Sequence, residues 1–206
     1  MSHELIANLR QARDLAGVVV LVGNRQHDRF VLTGNPPEES RLVTLEGVLR
    51  AAFPDQPPPA VYDPATGQLT MSGQQPRSVA RDALIQSLNA QCPTIIFNGE
   101  FNLEDPGSPR DGDFAWTRQV EHHSRTGDGK TLLIIRIPHM RALPTALASS
   151  PHVRVIPLPE ASRDERTAYA RTRCGPLAEQ ARVERERLAR RLADLSDGWL
   201  LATLEK

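Results

Sequence analysis

Four short apolar runs constrain this chain most: Val18-Val19-Val20-Leu21-Val22, Thr94-Ile95-Ile96-Phe97, Thr131-Leu132-Leu133-Ile134-Ile135 and Val153-Arg154-Val155-Ile156. Each has the length of a strand, and three are almost wholly apolar, the pattern of strands buried on both faces. Helical patterns lie between them. Leu5, Ile6, Leu9, Ala12 and Leu15 recur at helical spacing and predict a helix over 3–16. Further helices are expected over 38–53, 78–91 and 113–123. Shorter strands are expected at 29–33 and 60–62, with a small exposed hairpin in the turn-rich stretch 63–76. Strands alternating with helices imply an α/β fold with a parallel sheet covered on both faces.

After about residue 160 the pattern becomes helical. Ser162 and Glu165 form a capping-box signature for a helix over 162–172. A longer helix is expected over 176–195, with Leu177, Val183, Leu188, Leu192 and Leu195 as its apolar side. The expected organisation is an α/β core over 1–160 and a small helical lid over 161–206.

Composition narrows the function classes. Lys+Arg and Asp+Glu are equal at 25 each, so the formal net charge is zero and gives no electrostatic case for nucleic acid or an anionic membrane. No apolar run approaches the roughly 20 residues of a membrane span. The polar start Met1-Ser2-His3-Glu4 lacks a signal-peptide pattern. Two cysteines, Cys92 and Cys174, make no disulfide framework, so a reducing cytoplasm is expected.

Residues 29–43 are laid out as strand, loop and helix start, like a phosphate-binding loop stripped of its chemistry. A working loop reads G-x-x-x-x-G-K-[ST]. Here Gly34 fits the first glycine, Glu39 replaces the second, Ser40 replaces the lysine and Arg41 replaces the hydroxyl. Glu38 and Glu39 would repel phosphate. An ordinary strand–turn–helix, with Pro36-Pro37 at the helix start, is the other reading of the same residues. The Gly-Lys-Thr at 129–131 is a decoy: Ser124 stands where the first glycine should be, and a strand follows rather than a helix.

The second half of the chain resembles the AAA+ ATPase family. Residues 132–147 (LLIIRIPHMRALPTAL) resemble its sensor-1 strand and the segment that follows. Residues 153–159 (VRVIPLP) with Asp164-Glu165-Arg166 resemble the turn and helix leading to its lid, and residues 192–198 (LADLSDG) a step within the lid. The resemblance covers roughly 29–205. It implies a P-loop NTPase-like parallel sheet sandwiched by helices, with a C-terminal helical lid. The departures fall on chemistry. The strand at 93–97 should end in Asp-Glu, which holds Mg²⁺ and activates water, yet Asn98-Gly99 follows it; the sensor-1 polar residue falls at Pro138.

The pattern is most like the degenerate, nonhydrolysing AAA-like domain that precedes an active module in AAA proteins of cyanobacterial and plastid type and their bacterial relatives. It implies a noncatalytic cytoplasmic domain acting in assembly, regulation or partner recruitment, in a homo-oligomer or beside a following ATPase module. No catalytic residue, cofactor or metal is then expected in this segment, although ATP and Mg²⁺ would serve the parent protein. Gly34, Ser40 and Arg41 are the expected remnant of a nucleotide loop. Two alternatives remain open. Arg41 could substitute for the lysine in a nucleotide sensor that does not hydrolyse, since arginine pairs bidentately with phosphate. Glu100, Glu104 and Asp105, at the C-terminal end of a strand, could hold the metal of a hydrolase.

Overall fold

A computed structural model describes residues 2–23, 30–32, 41–98, 111–126, 130–158, 162–173 and 182–195. They fall into two compact units, one of Ala7–Arg25 and Leu49–Leu158, the other of Met1–Ile6, Gln26–Val48 and Pro159–Lys206. The elements, in chain order, are α1 (Ser2–Leu15), β1 (Val18–Val22), β2 (Phe30–Leu32), β3 (Arg41–Val43), α2 (Leu45–Ala52), β4 (Ala60–Asp63), β5 (Gln68–Thr70), β6 (Arg77–Ser78), β7 (Thr94–Phe97), α3 (Asp111–Thr126), β8 (Leu132–Ile137), α4 (Thr145–Ala148), β9 (Val153–Pro157), α5 (Arg163–Arg173) and α6 (Arg182–Leu195).

The first unit is built on a seven-stranded sheet in the order β6-β5-β4-β7-β8-β1-β9. Its five strands β4, β7, β8, β1 and β9 run parallel, as the alternation of strands and helices requires. The sheet is mixed because β5 and β6 add an antiparallel meander at one edge. Asp63 makes the first turn of that meander: its carboxylate accepts from the Ala65 N–H and the Thr66 hydroxyl. Gly67 closes the turn at φ +66°, a conformation that favours glycine.

Alternation along the strands sorts the core. Val18, Val20, Tyr62, Ile95, Phe97, Leu133 and Ile135 share one cluster with Trp116 and Val120 of α3. Tyr62 stacks on Phe97 at 5.7 Å between ring centroids, and Phe97 lies 5.3 Å from Trp116. Val19, Leu21, Ile96, Ile134 and Arg136 take the other face and are all buried. Arg10 of α1 caps the C-terminal end of α2 by donating to the carbonyls of Ala52 (2.9 Å) and Ala51 (3.0 Å), and Arg13 lies over the Phe53 ring.

Two expected helices are corrected. The helix expected over 38–53 begins outside the described residues; within them, 41–43 are a strand, β3, and α2 follows. Thr44 decides where the helix begins: its hydroxyl and carbonyl take the N–H groups of Gly47 and Val48. The helix expected over 78–91 is two 3₁₀ turns, Arg81–Ala83 and Ile85–Ser87, which suffice to bury Leu84. The Asn89 side chain then accepts from the Gln91 and Cys92 N–H groups, giving the backbone a turn instead of a helix.

In the second unit, β2 and β3 pair antiparallel as a separate two-stranded sheet, and α5 packs on both. The capping box forms as expected: Glu165 Oε2 accepts from the Ser162 N–H, and Ser162 Oγ accepts from the Glu165 N–H. α5 and α6 lie antiparallel, since Arg163 pairs with Asp194 and Arg171 with Glu186. Buried Arg166 donates to the Ala193 carbonyl at 3.1 Å. Among the described residues, no helix is long and apolar enough to cross a membrane.

Candidate functional site

Open α/β sheets bind ligands beyond the C-terminal ends of their parallel strands. In the first unit that crest is formed by the ends of β1, β7, β8 and β9. β1 is held from both sides: the Gly23 N–H donates to the Ile137 carbonyl at 2.9 Å, and the Leu158 N–H donates to the Val22 carbonyl at 2.7 Å. Gly23 is needed here for packing, because a Cβ on it would lie 2.8 Å from Leu158 Cβ. Its amide is spent within the sheet.

The polar centre of the crest is Asn98 with Arg136. Phe97 pairs in register with Ile135, so the next residues, Asn98 and Arg136, are neighbours. Arg136 Nη1 donates to Asn98 Oδ1 at 3.3 Å, and the Asn98 N–H donates to the Tyr62 carbonyl. Arg136 is only 8% exposed despite its charge. A buried arginine stays protonated and presents N–H donors with no acceptor.

This pair does not fit a divalent metal. A guanidinium cannot ligate Mg²⁺, and Asn98 offers a neutral amide where hard cations prefer carboxylate oxygen. Within the described part of the crest, Arg136 supplies a cationic hydrogen-bond donor, and Asn98 is one of its acceptors. The sequence signal for Arg136 is a charged residue inside the otherwise apolar run 132–137.

Of the expected nucleotide-loop residues, Arg41 is described, and it belongs to the second unit. Arg41 is exposed in β3, paired in register with Leu32 of β2. A phosphate loop needs its strand in the parallel sheet and a helix directly after the loop, and β2 and β3 provide neither. Gly34, Ser40, Glu38 and Glu39 lie outside the described residues, as do Gly99, Glu100, Glu104 and Asp105. Pro138 is half-buried just after β8; His139 and His152 are exposed. Lys130 is exposed before β8, and Trp116 is a core residue. Burial raises the Cys92 thiol pKa, which disfavours the thiolate a nucleophile needs. Among the described residues, no group of three or more His, Cys, Asp or Glu is placed to hold a metal.

No protein-family model and no curated protein matches this chain.

Proposed function

We propose that this chain is a noncatalytic AAA+-like module that works by holding a protein partner rather than by turning over nucleotide. The order of its parallel strands supports the fold. Counted along the chain, the five run second-third-fourth-first-fifth across the sheet, the order of an AAA+-type P-loop core. With that order the nucleotide loop of the family would follow β1, not β2. The residues there are Gly23-Asn24-Arg25-Gln26-His27-Asp28-Arg29-Phe30, in which Asp28 replaces the second glycine and Phe30 the Mg²⁺-binding hydroxyl.

The observation that carries the functional reading is the Arg136–Asn98 pair. Asn98 holds the position of the metal-binding carboxylate, and Arg136 brings a permanent positive charge beside it. Fold likeness alone is a weak warrant for activity, so the reading rests on this site. A single-turnover assay with protein in excess over labelled ATP and Mg²⁺ tests it. The expected result is no phosphate release above buffer. Turnover that disappears in Asn98→Ala would contradict it.

A nucleotide sensor is the second reading, favoured by the same guanidinium. Anion recognition through Arg136 would need no metal, so such binding would be unchanged by chelation of Mg²⁺.

A further inference from the structure

The helix α6 carries its large apolar residues on the outside. Leu188 is 51% exposed, Leu192 41% and Leu195 68%, whereas Ala189 and Ala193 are buried. The three leucines follow spacings of four and three residues, a d-a-d seam that forms one continuous stripe about 10 Å long. Arg191, at the g position, flanks this stripe, and Arg187, one turn earlier at c, extends the basic row behind it; both are exposed. Among the described side chains of α6, the other charges are engaged: Glu186 with Arg171 and Arg190, and Asp194 with Arg163. Among the described residues, no carboxylate pairs with Arg187 or Arg191.

We infer that the Leu188–Leu192–Leu195 stripe of α6 is a docking surface for an amphipathic helix of a different protein segment, one with leucine-like anchors and an acidic margin. Exposed leucines at helical spacing match a helix-in-groove partner, and the unpaired basic margin selects its charge. A second copy of α6 suits it less: run antiparallel with the leucines in register, it sets Arg191 against Arg191. An anionic membrane suits the surface poorly. The stripe is three leucines wide with no aromatic residue, and the same helix carries Glu186 and Asp194. The inference rests on the reading of the chain as a binding module. The two fail separately, because ATP turnover would overturn that reading without bearing on α6.

The test uses the full chain and a fluorescein-labelled synthetic peptide of about three heptads, with Leu at a and d and Glu at the flanking positions. A matched peptide carries Lys in place of Glu. Fluorescence anisotropy should show saturable binding of the Glu peptide and binding of the Lys peptide at least about tenfold weaker. Leu188→Glu and Leu192→Glu should each weaken the Glu peptide by about tenfold or more while the far-UV circular dichroism is unchanged. The pair Arg187→Glu with Arg191→Glu should reverse the peptide preference. No binding of the Glu peptide, or equal binding by the leucine variants, would overturn the inference. So would a concentration-dependent dimer in sedimentation that Leu192→Glu dissociates, which would assign the stripe to a second copy. Co-sedimentation with phosphatidylserine vesicles, lost in Leu192→Glu, would assign it to a membrane.

Discussion

In the seven-stranded sheet the large apolar side chains are inside: Ile95, Leu132, Leu133 and Ile134 are fully buried. On α6 they are outside, and alanines fill the seam with α5. The sheet is ordered by burial of apolar area, which grows with side-chain size. The helix pair is ordered by close backbone approach at Ala189 and Ala193, by buried Arg166 reaching the Ala193 carbonyl, and by bidentate pairing of Arg171 with Glu186. Apolar periodicity in a helix therefore marks a face that must be covered, but not which surface covers it.

The largest test of that contrast is Trp116→Ala. Emptying a fully buried site against Phe97 should cost about 3–5 kcal/mol, read as a lowered urea midpoint. A loss below about 1 kcal/mol would break the picture of a close-packed sheet core. Next comes Ala189→Leu, which adds apolar volume where none fits. It should destabilise the α5–α6 pair by about 1–3 kcal/mol, seen as faster amide exchange confined to those helices. Neutral or stabilising behaviour would show that the alanine seam is loose.

Arg10→Ala removes the cap on α2 and should cost about 1 kcal/mol, with exchange rising at the last turn of α2. Glu186 gives a pH signature. Hydrogen bonding to Arg171, with a further contribution from Arg190, lowers its pKa from an ordinary 4.5 to about 2. A depressed carboxylate stabilises the fold above its unfolded pKa and loses that contribution as pH falls through the folded value. The helix pair should therefore weaken between about pH 4.5 and 2. Glu186→Gln should lose that pH dependence at a cost of about 1 kcal/mol or less at neutral pH. Smallest of all is Leu192→Glu, expected to change stability by no more than about 0.5 kcal/mol because the residue is outside the seam. A large loss would place Leu192 in the core after all.

The sheet was legible from sequence because its strands are uninterrupted apolar runs, a pattern few other elements share. The capping box at Ser162 and Glu165 was legible for the same reason, being local chemistry. The start of α2 was not, because residues 41–43 can extend a helical pattern or pair as a strand, and only Thr44 with the β2–β3 pairing decides. The crest was half legible. Asn98 follows an apolar run that marks the end of a strand, but its pairing with Arg136 depends on register between β7 and β8, which no single strand encodes. Arg41 matches a lysine substitute only in local spacing; the pairing of β2 with β3 outside the seven-stranded sheet is a long-range feature that this spacing does not encode.

On the proposed reading of the chain as a noncatalytic AAA+-like module, the Arg136–Asn98 pair replaces the metal-binding carboxylate of the family. The most direct measurement is a titration with a fluorescent ATP analogue, with Mg²⁺ and with chelator, on the unmodified chain and on Asn98→Ala. The account predicts that Mg²⁺ does not strengthen binding in either protein, whether the analogue binds weakly or not at all. Binding tightened by tenfold or more with Mg²⁺, and lost in Asn98→Ala, would contradict it and make this crest a metal–nucleotide site.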